Sequence, residues 1–373
     1  MFSKPELCVM MKQIESNCPS ELNVRHMHRA LKMNIKEIAY LAGVSVATVS
    51  RVINNSDSVK PATRERVQKV MQENNYIPSA TARDLSFQRS EVVAVVVPDL
   101  KNPFFYGLIE GITRVAEKNH YQVLIFNTNE DADKEYQVLQ AIRERNVAGI
   151  LITAAGVRDK RTGALLAEYQ QSGTPVVLVD RFIEGGDGLD TVMADNESGS
   201  YKAICELIRQ GHERIAIIAG EKTLSPVYER ELGYRRALSE NGIKIREMYI
   251  AYGNQMADKS YSCMKKLMSL SKPPTAVFCG NNLMSLGALR YLIENGMAAG
   301  EDVAIIGFDD IDVLNHVGIP LSVVDRSEKE MGRKAMEILL RHLKKTDTTS
   351  THISVPTRLI LRGSEKARNV KPK

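Results

Sequence analysis

The chain contains no tryptophan, few aromatic residues and five cysteines among 373 residues. No apolar run approaches the roughly 18 residues that a membrane-spanning helix needs. The opening "MFSKPELCVMMKQIESN" also lacks the continuous apolar segment of a secretory signal, so a cytoplasmic protein with no membrane partner is expected. Cys8, Cys18, Cys205, Cys263 and Cys279 are scattered and odd in number. They are never spaced as C-x-x-C, which argues against a disulfide framework and a zinc site. Motifs of catalysis are missing too. "DLKNPFFYG" stands where a dinucleotide enzyme would carry G-x-G-x-x-G after its first strand, and there is no P-loop, no G-x-S-x-G elbow and no H-E-x-x-H. The seven histidines are dispersed, and His26-Met27-His28 reads as an incidental pair. No enzyme activity, metal or cofactor is therefore expected.

The composition is otherwise that of a folded protein of two or three domains: 43% hydrophobic and 25% charged. The net charge of +5 is unevenly placed. Residues 33–90 carry eight Lys/Arg against five Asp/Glu, residues 1–32 carry five against three, and everything after residue 90 is balanced. A basic end on a neutral body suits a protein that meets phosphate at one end only.

Residues 1–32 show no sustained periodicity and are expected to be an untranslated or disordered extension, with Met33 as the natural start. Asn34 with Glu37 three residues later predicts a capping box, and residues 33–76 read as three short helices, the third opening near Pro61. Ile35, Ile38, Ala39 and Ala42 make one apolar face. Gly43 permits a corner with positive φ, Ser45 can cap the next helix, and Val49, Val52 and Ile53 face inward. This is a helix-turn-helix pattern. Val46, Ala47, Ser50 and Arg51 fall on or near the exposed side at the start of the second helix, where a major-groove reader needs them, and Arg51 can donate to a guanine. A plain helical hairpin with a solvated arginine fits the same pattern equally well. Residues 77–90, "IPSATARDLSFQRS", form a linker with helix potential, too short to be stable alone.

From Glu91 onward, short apolar runs alternate with helical stretches: VVAVVV, QVLIF, GILI, VVLV, RIAIIA, TAVFC and DVAIIG. Nearly continuous runs are those of parallel strands covered on both faces. One sheet of about ten strands would be large, so two doubly wound lobes with a cleft between them are expected. Ligands of such sheets lie beyond the carboxyl ends of strands, where Asp99, Asn127, Asp180, Asn281 and Asp309 stand. Acids and amides with an arginine suit the paired hydroxyls of a sugar, and Phe104 and Phe105 offer an apolar platform. Singly, each acid or amide reads as a helix N-cap and each Phe as core.

Five motifs in order carry a closer resemblance: "IKEIAYLAGVSVATVSRVIN", "NYIPSATARDL", "NPFFYGLIEGI", "ELIRQGHERIAIIAG" and "DVAIIGFDDI". Over residues 33–363 the chain resembles the lactose-repressor/galactose-repressor (LacI/GalR) family of bacterial transcription regulators. The resemblance implies an all-α helix-turn-helix headpiece (33–76), a hinge (77–90), a two-lobed α/β effector-binding and dimerisation domain like the periplasmic binding proteins (91–365), and a tail (366–373). It places Val46, Ala47 and Arg51 where the family reads operator bases, with Thr48, Ser50 and Asn54 beside them. Ser79, Ala82, Arg83 and Leu85 fall in the hinge helix, whose leucine wedges into the minor groove at the centre of a palindrome. Ser86 replaces a basic residue found in some relatives. Phe104, Phe105, Asp180, Asp195, Arg230, Asn281 and Asp309 align with effector-contacting positions, and Asn282 stands where the family usually has an acid.

The function implied is a sequence-specific repressor of a carbohydrate operon, switched by a sugar or sugar derivative in the cleft. An effector that favours the hinge-disordered state must weaken operator binding by the factor by which DNA weakens effector binding. The partners expected are palindromic double-stranded DNA, a small-molecule effector and a second copy of the chain, since paired half-sites require a two-fold dimer. "EKARNVKPK" has no leucine heptads, so no tetramer zipper is expected. Two alternatives stand beside this: a regulator of a non-sugar metabolite such as a purine or nucleoside, and an exported sugar-binding protein, which would need neither Arg51 nor Leu85.

Overall fold

The computed structural model describes residues 33–53, 58–76, 90–346 and 349–367. The expected extension at 1–32, the hinge residues Ser79, Ala82, Arg83, Leu85 and Ser86, Asn54, and residues 368–373 lie outside them. The chain divides into two compact units at Ser90/Glu91.

The first unit is three helices: α1 (Ile35–Ala42), α2 (Val46–Ile53) and α3 (Pro61–Glu73). The capping box forms as expected. The Asn34 side chain accepts the amides of Lys36 and Glu37, and the Glu37 carboxylate accepts the amide of Asn34 at 2.8 Å. Ile38, Ala39, Ala42, Val49, Val52 and Val67 are buried together, so the apolar faces of all three helices close one small core. Pro61 occupies the first turn of α3, where its missing N–H has no partner to lose.

The second unit holds two six-stranded sheets of the same design. In lobe 1 the strands are β1 (Val92–Val97), β2 (Gln122–Asn127), β3 (Gly149–Ile152), β4 (Val176–Val179), β5 (Asp190–Ala194) and β11 (His352–Val355), in the order β11-β5-β4-β3-β1-β2. Lobe 2 has β6 (Ile215–Ala219), β7 (Ile250–Tyr252), β8 (Ala276–Cys279), β9 (Ala304–Phe308), β10 (Ser322–Asp325) and β12 (Arg358–Ile360), in the order β12-β10-β9-β8-β6-β7. All pairings are parallel except that of β10 with β12. Each of the seven predicted runs is a strand. The central ones are wholly buried, because helices cover both faces of each sheet. Strand β2 departs from the continuous pattern: it is an edge strand with exposed positions at Gln122 and Ile125.

Three chain crossings join the lobes. The first leads from β5 into α7 (Asn196–Arg209), whose apolar face packs in the core of lobe 2. The second leads from β10 into α12 (Glu328–Leu343), which returns to the core of lobe 1, and the third runs directly from β11 to β12. In lobe 1, α12 crosses α4 (Pro103–Lys118) so closely that a Cβ on Gly332 would lie 2.1 Å from the Leu108 carbonyl, and one on Gly111 would lie 2.1 Å from the Lys329 carbonyl. Only glycine fits at that crossing. Among the described residues no helix is long and apolar enough to span a membrane.

Candidate nucleic-acid interface and effector cleft

In the first unit, α1 ends at Gly43 with φ +62°, and its amide returns to the Ala39 and Tyr40 carbonyls. Two residues later Ser45 starts α2: its Oγ accepts the Thr48 amide at 3.1 Å and contacts the Thr48 hydroxyl at 2.9 Å. This corner turns α2 so that Val49 and Val52 are buried while Val46, Ala47 and Arg51 stand exposed. Thr48 and Ser50 are half-buried, and Thr48 spends its hydroxyl on the cap. The exposed face therefore presents two apolar side chains in the first turn of the second helix, whereas the charged fork of Arg51, expected near the start, stands in its last turn. The guanidinium can donate to a guanine edge, and the apolar side chains can pack on a thymine methyl.

In the second unit, the cleft lies at the carboxyl ends of both sheets. Asp180 follows β4 and Asp309 follows β9, the same place in each lobe. Both are left-handed, with φ of 68° and 70°. Their amides donate to the adjacent strand, Asp180 to the Val192 carbonyl and Asp309 to the Val324 carbonyl, each at 2.9 Å. A non-glycine residue held in this region is a strained conformation of the kind that clusters at binding sites. The two carboxylates do not stand free. Arg326, just after β10, lies between them: its Nε and Nη2 donate to Asp309 at 2.6 and 3.1 Å, and its Nη1 donates to Asp180. Its guanidinium lies 3.4 Å from the centre of the Phe104 ring.

Arg230, on α8 (Ser225–Glu240), comes from the other side. It stacks over Phe308 at 3.7 Å, and its Nε and Nη1 donate to Asn196 and to the Gly280 carbonyl. Its Nη2 is buried with no hydrogen-bond partner among the described residues. Burial first, then the neighbouring Arg326 charge, pulls its guanidinium down to about 10, against the attraction of Asp309 and Asp180. For Arg326 burial acts in the same downward direction, but Asp180 and Asp309 outweigh it and the net direction is up. Arg181, also buried, is held charged by Glu130, whose carboxylate accepts its Nη1 and Nη2 at 2.6 and 2.8 Å.

The structure brings Phe104, Phe105, Asp180, Arg230 and Asn281 to one small cavity, with Asp309 behind Arg326. Phe105 is mainly core, set edge-to-face against Phe104 at 5.0 Å. Asn281 caps α10 (Asn282–Glu294) through the Met284 amide, as the bland reading of a post-strand amide expects. Asp195 is not brought in: it caps α7 through Ser198, and its neighbour Asn196 is the residue bonded to Arg230. Asp99 serves its own loop, accepting the Lys101 amide, and Asn127 holds that same loop after β1 by accepting the Leu100 amide. Arg230 and Asp309, both aligned with effector-contacting positions, make no direct bond. Sequence reasoning missed Arg326, Asn196 and the pair Asn102–Asn282. Asn282 Nδ2 donates to Asn102 Oδ1 across the lobes at 2.8 Å. Asn102 Oδ1 also accepts the Phe104 amide, so an acid at 282 would set two acceptors against each other.

Comparison with known proteins agrees with both units. The model of the family described as "Bacterial regulatory proteins, lacI family" matches residues 34–79. That of "Periplasmic binding proteins and sugar binding domain of LacI family" matches residues 90–362. The chain belongs to the LacI family of bacterial regulatory proteins. It is 34% identical to the HTH-type transcriptional repressor CytR of Escherichia coli strain K12 over 89% of this chain and 96% of that one. It is 32% identical to the catabolite control protein A of Priestia megaterium over 90% and 100%. Among solved structures, the transcriptional regulator CelR in complex with cellobiose superposes with a TM-score of 0.67 at 30% identity, covering 89% of this chain and all of that one. This LacI-family chain is thus a DNA-binding transcriptional regulator with an effector-binding domain.

Proposed function

We infer that the protein is a repressor that binds a palindromic operator as a dimer, and that a sugar or sugar derivative in the interlobe cleft sets how firmly it binds. The observation that carries the effector reading is the matched pair Asp180 and Asp309. Each is held at the end of a strand in its own lobe, and both are aimed across an aromatic face at one point. Two carboxylates and a second buried arginine around a ring-sized platform are the donors and acceptors that vicinal hydroxyls need. The cellobiose seen with CelR is a ligand of this class, and the reading extends that class, not that sugar, to this chain. In the first unit, Val46, Ala47 and Arg51 read base edges, with Thr48, Ser50 and Asn54 beside them. Ser79, Ala82, Arg83 and Leu85 belong to the hinge that the dimer orders on DNA.

A thermal-shift screen of sugars and sugar phosphates tests the effector half. A ligand present at a hundred times its Kd raises stability by about 2.7 kcal/mol. Duplex selection from a randomised pool, repeated with each hit, tests the coupling. Arg230→Ala is expected to abolish the response to a hit while operator affinity stays within a few-fold. Indifference to every duplex in the pool would overturn the reading.

A further inference from the structure

The effector cleft already has an occupant. Arg326 leaves the backbone at the crossing between β10 and α12 and is almost completely buried. Ser327 beside it is left-handed, with φ 50°, and Asp325 before it pairs at 3.2 Å with Arg358, the first residue of β12 where the third crossing ends. The guanidinium is therefore anchored on the segment that must bend when the lobes move. Its contacts divide by lobe: Asp309 belongs to lobe 2, whereas Asp180 and Phe104 belong to lobe 1. With it in place the cavity is about 30 Å³, room for a water or two and not for a ring. The Phe104 face, 3.4 Å away, is covered.

The surrounding charge favours this state. Asp180 and Asp309 pair with Arg326 and lie near Arg230, the half-buried Glu229 and Glu328 add further negative charge, and Arg181 is matched by Glu130. If Arg326 swings out, two buried carboxylates remain against Arg230 alone, an uncompensated negative charge that burial penalises. A flat cation with hydrogen-bond donors at its edge restores the balance.

We propose that Arg326 is a tethered occupant of the effector site. It latches the lobes together by pairing with one carboxylate from each, any cleft ligand must displace it, and the place it vacates accepts a free guanidinium group. The inference rests on the cleft being the effector site and deepens that reading. Methylguanidinium chloride tests it on the full chain by calorimetry and thermal shift, well below denaturing concentrations. R326A is expected to bind one methylguanidinium per protomer and to be stabilised by it, but not by equimolar methylammonium or sodium. The wild-type chain should do neither. Adding D180N to R326A should weaken that binding roughly tenfold to a hundredfold, the loss of one charge-assisted bond. A folded R326A with no saturable binding, or a wild-type chain that binds equally well, overturns the proposal. Should R326A fail to fold, D180N alone decides. It keeps Arg326 and removes only the lobe 1 charge, so a larger radius of gyration in solution scattering is expected, and an unchanged one overturns the latch. None of these readouts uses a sugar. A barren sugar screen with positive methylguanidinium binding would sink the effector reading and leave Arg326 as the occupant, and the reverse result would sink only the occupant.

Discussion

Glu135 is a carboxyl group wholly out of solvent on α5 (Ala132–Arg143). Burial raises it to about 7, although the Ala155 amide, at 2.7 Å, and the nearby Arg181 charge pull the other way. Its other oxygen has no partner among the described residues. The unfolded chain gives up this proton near the ordinary value of 4.5, and the folded chain keeps it until about 7. Stability from this group is therefore complete below 4.5 and is lost as pH rises through about 7. Glu135→Gln removes the dependence. Urea unfolding at pH 5 and pH 8 should show the variant gaining on the wild type by up to about 3 kcal/mol at the higher pH, and a constant difference would show that the carboxyl does not titrate there. Arg51 is a second single-residue case. Exposed on α2, it supports no core, so Arg51→Ala should cost about 1–3 kcal/mol of binding to a selected operator duplex. Binding to non-specific DNA and the melting temperature should barely change.

At the scale of elements, the corner between α1 and α2 depends on one backbone angle. A Cβ at Gly43 would meet nothing within 4 Å, so Gly43→Ala is opposed by its φ of +62° alone. The expected cost is about 1–2 kcal/mol, with asparagine tolerated better than alanine. Hydrogen exchange of the α1 and α2 amides in the full chain reads it directly, and equal protection in the alanine variant would refute the strain argument. Local signals of this kind made the headpiece legible: the cap, the corner and the proline start are all short-range chemistry, and each stands where the residues put it. The central strands were legible because burial on both faces leaves only apolar residues. Of the missed strands, β5, β10, β11 and β12 each begin on a polar residue, and β7 spans only three residues. β5 opens on Asp190, buried because it accepts the Thr351 amide at 2.8 Å and faces His342 at 2.8 Å. No periodicity marks such a strand. Missing β10 is also why Arg326 escaped notice: the rule that finds Asp180 and Asp309 after their strands would have found it as well. Asp195 and Asn196 show the converse limit. Adjacent polar residues at a helix start look alike in sequence, and only the packed lobe shows that Asn196 reaches Arg230 while Asp195 turns to the cap.

At the scale of the whole molecule, the dimer proposed from paired half-sites predicts sedimentation at twice the chain mass of 41.6 kDa. A species that stays monomeric at operator-binding concentrations would remove the basis for a palindrome. The two lobes repeat one strand order, yet they are not two independent domains, because three crossings thread them together.

That threading has a consequence for synthesis. The outermost strand of the first sheet, residues 352–355, is translated after nearly all of the second. Helix α12, whose Met331, Ala335, Met336 and Leu339 lie inside the first lobe's core, also emerges late. A ribosome that has finished every other strand of lobe 1 therefore holds a sheet with a bare edge and an open apolar face. That half-built body stays exposed to chaperones and to pairing with neighbouring nascent chains until residues 328–355 have been translated.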